Sequence, residues 1–272
     1  MIEQTITLSK MQTFLSESNI AQYQLGELKM NALIGKRITL KFLGEINCVA
    51  CGRSTKKSFN QGYCFPCLRS LAECDTCIIK PELCHYHEGT CRDSSWGKAH
   101  CIKPHYIYLA NTAVIKVGIT REKNIPSRWI DQGATQALPI VQVSERLLSG
   151  LIEVKLAQHV TDKTNWQAML KSSPDQLDLL DYKNKILAKE QHFIDALKEK
   201  YSEASIKIVK MSEQQIHYPV LEYPNKIQAH NLDKSLIIEG LLMGMKGQYV
   251  ILDTGVMNVR KFAGYKCQIS IQ

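Results

Sequence analysis

Nine of the ten cysteines in this chain fall between Cys48 and Cys101, and three CxxC pairs lie among them. A stretch so rich in thiols has few apolar side chains with which to build a core. Disulfides serve that need in small secreted domains, and metal serves it in reducing compartments. Residues Met1 to Lys10 carry acid and threonine where a signal peptide carries basic and then apolar residues. Metal is therefore the expectation, in a cytoplasmic protein.

Cys48-Val-Ala-Cys51 and Cys64-Phe-Pro-Cys67 are separated by twelve residues. Each pair turns tightly and presents two thiolates to one ion. Two such knuckles make a tetrahedral all-sulfur zinc ribbon. Gly52 and Gly62 flank the pairs and suit backbone that folds around a metal. A second zinc is expected from Cys74-Asp-Thr-Cys77 and the donors after it: Cys84, His85, His87, Cys91, His100 and Cys101. Cys84-His-Tyr-His87 has the spacing of a CxxH knuckle. Cys74, Cys77, Cys84 and His87 thus make one closed set, with Cys91 and Cys101 as competing donors. An iron–sulfur cluster can use the same thiolates. His85 and His100 read singly as exposed polar residues. No three-ligand set with an open position stands out, so both zinc ions read as structural. Cys267 stands alone near the C-terminal end and reads as a small buried hydrophobe.

The formal charge of +8 treats every cysteine as neutral. Four thiolates around one Zn²⁺ contribute −2, so the true surplus is mild. It permits a nucleic-acid partner without demanding one. A membrane partner is not expected. The most apolar stretch, Leu236 to Met245, is too short to span a bilayer and carries Glu239.

Four segments differ in texture, and together they predict an α+β chain. Residues 1–45 form an N-terminal β segment, with alternation over Ile38–Phe42. Residues 46–103 are the zinc-ribbon module. Residues 104–215 read as a small α/β domain. Two strands there, Tyr106–Leu109 and Val114–Val117, flank a turn at Asn111-Thr112. Helical spacing follows at Leu147, Leu148, Leu151, Ile152, Leu156 and Val160. It resumes at Ile186, Phe193, Ile194, Leu197 and Tyr201. Ser173-Pro174-Asp175 reads as a helix start. Residues 216–272 form a small C-terminal β unit punctuated by glycine.

The segment from His105 to Ala134 carries a resemblance. Tyr106-Ile107-Tyr108 followed by Lys116-Val117-Gly118 resembles the paired motif of the GIY-YIG nuclease superfamily. Arg128 stands ten residues after Gly118, where that superfamily places its arginine, and the helix with Glu153 stands where it places a metal-binding glutamate. The Glu153-x5-His159 spacing is similar to the phage and fungal branch. Two positions depart: Tyr106 replaces a glycine, and Lys116 replaces the usual tyrosine, as in some restriction enzymes. The whole chain also resembles a bacterial family, domain of unknown function 2797. That likeness runs through residues 81–92, 96–101, 116–121, 128–134, 162–166 and 247–265, and it implies no activity.

The nuclease resemblance implies metal-dependent phosphodiester cleavage. Glu153 would hold Mg²⁺ or Mn²⁺ and Arg128 would offset charge on the phosphoryl group. Tyr108 or Lys116 would activate water, with Tyr106 on the same strand face. Lys116 faces the tyrosines only if the hairpin loop has an odd number of residues. Arg121 and Lys123 give a basic rim suited to phosphate. Trp96, Trp129 and Trp166 are candidates for stacking on bases. The expected function is nucleic-acid binding through the zinc module, with cleavage by the central domain. The alternatives are a non-catalytic adaptor docking RNA, DNA or protein, and an enzyme acting on a small molecule in the same groove.

Overall fold

The computed structural model describes residues 2–160 and 166–272. The chain is a mixed α+β fold with three sheets. The largest has six strands, and its order interleaves the two ends of the chain. β1 (Ile2–Thr7) pairs with β14 (Tyr265–Ile271), β14 with β5 (Arg37–Ile46), and β5 with β11 (Ile237–Lys246). The sheet then continues through β12 (Tyr249–Leu252) to β13 (Gly255–Asn258). All these pairings are antiparallel. The terminal segments 1–45 and 216–272, whose joining the sequence leaves open, share one sheet. The reason is register: Leu40 stands opposite both Ile238 and Ile269, so the apolar face of each strand meets the next. Cys267 is fully buried on β14, as its apolar setting implied.

A small sheet of β2 (Gln12–Leu15), β3 (Ala21–Leu25) and β4 (Leu28–Lys29) packs into the same core. The central sheet has the order β10-β8-β6-β7, where β6 is His105–Asn111, β7 Ile115–Arg121, β8 Gln136–Val143 and β10 Gln214–Gln215. β9 (Ile206–Ile208) adds to β8. Every residue of β6 is buried, and its alternation sorts two cores. Tyr108 and Ala110 face the core of the six-stranded sheet, together with Trp129. Ile107 and Leu109 face the helices α5 (Arg146–Ala157), α7 (Leu179–Lys189) and α8 (Gln191–Lys200), where Leu148, Ile152, Ile186 and Ile194 are buried. Side chains of this size gain about 1.5–3 kcal/mol each by full burial.

Two helices complete this part: α4 (Ser127–Asp131), after the β6–β7 hairpin, and α6 (Trp166–Lys171). The expected helix start at Ser173-Pro174-Asp175 is corrected. Residues 172–178 are irregular, and α7 begins at Leu179 under an Asp178 cap on the Asp181 N–H. Side-chain bonds hold this stretch out of helix: Asn111 donates to the Asp175 carbonyl, and Gln136 bonds both backbone groups of Leu177. Of the family-like segment 162–166, residues 162–165 lie outside the described residues.

The cysteine region is inserted between β5 and β6 as short helices and turns: α1 (Phe65–Ser70), α2 (Thr76–Ile79) and α3 (Ser94–His100). Among the described residues, none from 47 to 105 joins a hydrophobic core cluster. Among the described residues, no helix is long and apolar enough to cross a membrane.

Candidate metal centre and the arginine cleft

Both knuckles of the first centre are local structures. The Asn47–Ser54 bridge closes the first turn, and the Phe59–Tyr63 bridge leads into the second. Gly62 adopts φ +134°, and a Cβ there would stand 2.6 Å from Val49, so the close approach of the two turns requires glycine. The four sulfurs of Cys48, Cys51, Cys64 and Cys67 lie within 4.8 Å of one another, with Cys51 and Cys64 at 3.8 Å.

The backbone prepares these sulfurs for negative charge. The Cys64 N–H donates to Cys48 Sγ at 3.2 Å. Burial pushes the Cys48 thiol up, but N–H groups of Cys64, Cys51 and Ala50 outweigh it and bring the pKa down to about 6. Cys67 is pushed the other way, to about 12, first by its contact with Cys64 and then by burial. Four thiolates cannot coexist at this spacing without a cation. A soft, tetrahedral, all-sulfur donor set fits zinc. The four-cysteine cluster can therefore hold a metal ion, whose contribution would be to cross-link a module that has no core of its own.

The second donor region is arranged differently from the closed set Cys74, Cys77, Cys84 and His87. Cys74 meets the Asn60 side chain and lies on the side of the first centre, where it feels Cys48. His87 is bonded to Glu145 at 2.7 Å. The free thiols of Cys84 and Cys101 are neighbours, and that proximity, against burial, brings the Cys84 thiol down to about 6 while pushing Cys101 up. Cys77 is raised to about 11, chiefly by burial and then by Asp75 and Cys84. Cys91 contacts the Asp93 carbonyl at 3.3 Å. One donor each from Asp75, Cys77 and His85 also lie within 4.8 Å, a second group that can hold a metal. Asp75 is at the same time paired with Arg92 at 2.9 Å. His85 thus belongs to a built cluster, although its sequence context reads as merely polar. His100 does not stand free either, since its ring stacks on Trp96.

In the central domain the hairpin register pairs Tyr108 with Gly118 and Ala110 with Lys116. The loop is Thr112-Ala113-Val114, an odd count, so Tyr106, Tyr108 and Lys116 share a face. A Cβ on Gly118 would stand 2.7 Å from the Tyr108 hydroxyl. The glycine therefore makes room for the Tyr108 ring. That ring is fully buried, and its hydroxyl donates to Gln132 at 2.5 Å. Burial, opposed by Arg128 and reinforced by Glu153, lifts the phenol to about 12. Tyr108, Arg128 and Glu153 are thus electrostatic neighbours. Tyr106 bonds Gln142 and Glu122. His159 pairs with Glu190. Trp129 is buried, and Trp166 stacks on Tyr249.

Beside this triad lies a cleft of about 400 Å³, lined by Lys10, Arg121, Arg128, Arg146, Arg260 and Asp131 among others. Five cations face one carboxylate, and that carboxylate is already committed. Asp131 pairs with Lys10 and accepts from Thr13 and Gln248. Among the described residues no carboxylate is ion-paired with any of the four arginines. Burial, then Arg146, lowers the Arg121 pKa, and burial, then Arg128, lowers that of Arg260. Such an arrangement attracts and neutralises an anion. Arg146 and Arg260 were not legible as functional residues. They come from α5 and from the turn before β14, and no motif joins them to Arg121 and Arg128.

The fold and site define an α+β protein with a four-cysteine cluster that can hold a metal ion and a cleft lined by four arginines. A family model described as "Protein of unknown function (DUF2797)" matches residues 35–267, and the chain belongs to that family. No curated protein and no solved structure matches it.

Proposed function

We propose that this protein binds nucleic acid, with the phosphodiester backbone lying in the arginine cleft and the metal-held module forming one wall. The observation that carries this reading is one cleft lined by four arginines, none of which is ion-paired with a carboxylate among the described residues. Guanidinium groups present planar forks of donors that match phosphate oxygens. A run of phosphates spaced along a strand meets several of them at once. The test is binding of labelled DNA and RNA oligonucleotides at two salt concentrations. Affinity should fall steeply with salt, and Arg260→Ala should weaken binding to all sequences alike and flatten the salt slope by about one. Affinity that ignores both salt and Arg260 would refute the reading.

A second reading adds cleavage, and the proximity of Tyr108, Arg128 and Glu153 favours it. Glu153 would supply one carboxylate to Mg²⁺ or Mn²⁺, ions that take their remaining ligands from water and substrate phosphate. Arg128 reaches from this group into the cleft and would neutralise charge on the phosphoryl oxygens. A phenol held near 12 keeps its proton at neutral pH, so Tyr108 positions by donating a hydrogen bond. Lys116 remains on that face as the candidate for water activation. Without cleavage, the same cleft serves an adaptor.

A further inference from the structure

We propose that the corner where the zinc module meets the central domain is a base-stacking subsite for single-stranded nucleic acid, an inference that rests on the nucleic-acid reading above. A second cleft of about 280 Å³ is lined by Trp96, His100, Ile78, Arg121, Arg146 and one carboxylate, Glu73, among others. It shares Ile78, Arg121 and Arg146 with the arginine cleft, so the two adjoin.

Trp96 and His100 lie one turn apart on α3, their rings parallel within 9° at 4.1 Å. The His100 ring is further fixed by Nδ1 bonding the Trp96 carbonyl at 2.8 Å. Asp93 caps the helix by accepting the Trp96 N–H at 2.9 Å. The aromatic pair is therefore held in place before any ligand arrives, which reduces the ordering cost of binding.

The phosphate side of the corner is equally prepared. Arg146 is anchored by donating to the Cys77 and Ile78 carbonyls at 3.3 and 2.6 Å. Arg121 beside it has a buried Nη1 with no hydrogen-bond partner. The protein therefore leaves this guanidinium incompletely satisfied. A phosphate between the two guanidinium groups would relieve their mutual repulsion. One nucleotide would thus place its phosphate on Arg121 and Arg146 and its base against Trp96. Only an unpaired strand can offer both, because a duplex buries its base faces in the stack.

The experiment compares four ligands of one length: single-stranded DNA, single-stranded RNA, a strand with abasic sites, and the duplex. Each is titrated against the full chain and against Trp96→Ala, Trp96→Phe and Arg121→Gln. The single strands should bind more tightly than the duplex. Trp96→Ala should weaken them about tenfold or more and leave the abasic strand unchanged, while Trp96→Phe restores most of the loss. Arg121→Gln should weaken the intact and abasic strands alike. If the duplex binds as tightly, or if Trp96→Ala affects intact and abasic strands equally or not at all, the stacking subsite is overturned while nucleic-acid binding stands. If none of the four ligands binds the full chain, the nucleic-acid reading falls, and the subsite with it.

Discussion

Gly150 in α5 lies directly against Glu82 of the cysteine module: a Cβ on Gly150 would stand 2.2 Å from the Glu82 amide nitrogen and 2.4 Å from the Pro81 carbonyl carbon. Both are backbone atoms and cannot swing aside. Arg146, one helical turn earlier, holds the same module by two carbonyls, and its own N–H donates to the Cys101 carbonyl at 2.8 Å. Gly150→Ala should therefore loosen the docking of the module, at a cost of about 1–3 kcal/mol or more. Limited proteolysis should show residues 46–103 cut faster while bound zinc is retained. Unchanged protease resistance would mean that the module docks elsewhere.

Metal removal should act on a different scale. Purified protein should contain close to two zinc ions per chain by elemental analysis, and Cys51→Ser should lose one. A chelator should unfold residues 46–103, since burial alone does not hold them, and leave the central domain resistant to protease. Full protease resistance in chelator, or disulfides joining Cys48, Cys51, Cys64 and Cys67, would contradict a metal-held module.

The four-cysteine cluster was legible in the sequence because its members are local. Two CxxC turns twelve residues apart determine their own geometry. The strands β6, β7 and β11 were readable for a similar reason, since a run of aromatic and aliphatic residues bounded by turn or glycine signals is a property of each strand alone. The sheet that joins Leu40 to Ile269 was not, because partners more than two hundred residues apart leave no trace in a short window. The second donor region resisted for a subtler reason. Cysteine and histidine spacing offered several closed sets, and the choice among them depends on Glu145, Asn60 and Arg92, none of which is a thiol ligand. The cleft was invisible as a whole, as its cations come from four separate segments.

If the central domain cleaves phosphodiesters, its residues should separate by role. Glu153→Ala should abolish turnover and spare binding. Arg128→Ala should lower turnover by about a hundredfold or more, the loss typical of one transition-state donor. Cleavage that survives Glu153→Ala, followed on labelled oligonucleotides with Mg²⁺ or Mn²⁺, would remove Glu153 from the chemistry. Binding without cleavage under either metal would leave the adaptor.

Lys246 gives a prediction about pH. It is fully buried on β11, donates to the Ser172 carbonyl at 2.9 Å, and lies 5.3 Å from the ring centres of Tyr218 and Tyr223. Burial depresses its pKa to about 8. Below that value the folded chain carries the full cost of a desolvated ammonium. Between pH 8 and about 10 the folded lysine sheds its proton while the unfolded one keeps it, so stability rises with pH. The gain is at most about 3 kcal/mol. Tyr218 and Tyr223 are shifted upward by burial and stay neutral across this window. Urea unfolding at several pH values should show the rise, and Lys246→Met should lack it. Identical slopes in the two proteins would mean that Lys246 is charged throughout.

The pairing of Ile2 with Ile271 has a consequence for the order of events during synthesis. A chain leaving the ribosome presents β1 and β5 long before β14 and β11 exist to cover them. Those early strands must wait with their edges unsatisfied, and exposed edges are where chains stick to one another. The cysteine module and the central hairpin emerge in the interval, and both are closed by contacts near in sequence. Metal capture by the first two knuckles can therefore precede the assembly of the sheet, and β14, synthesised after both strands it pairs with, is the one that locks it.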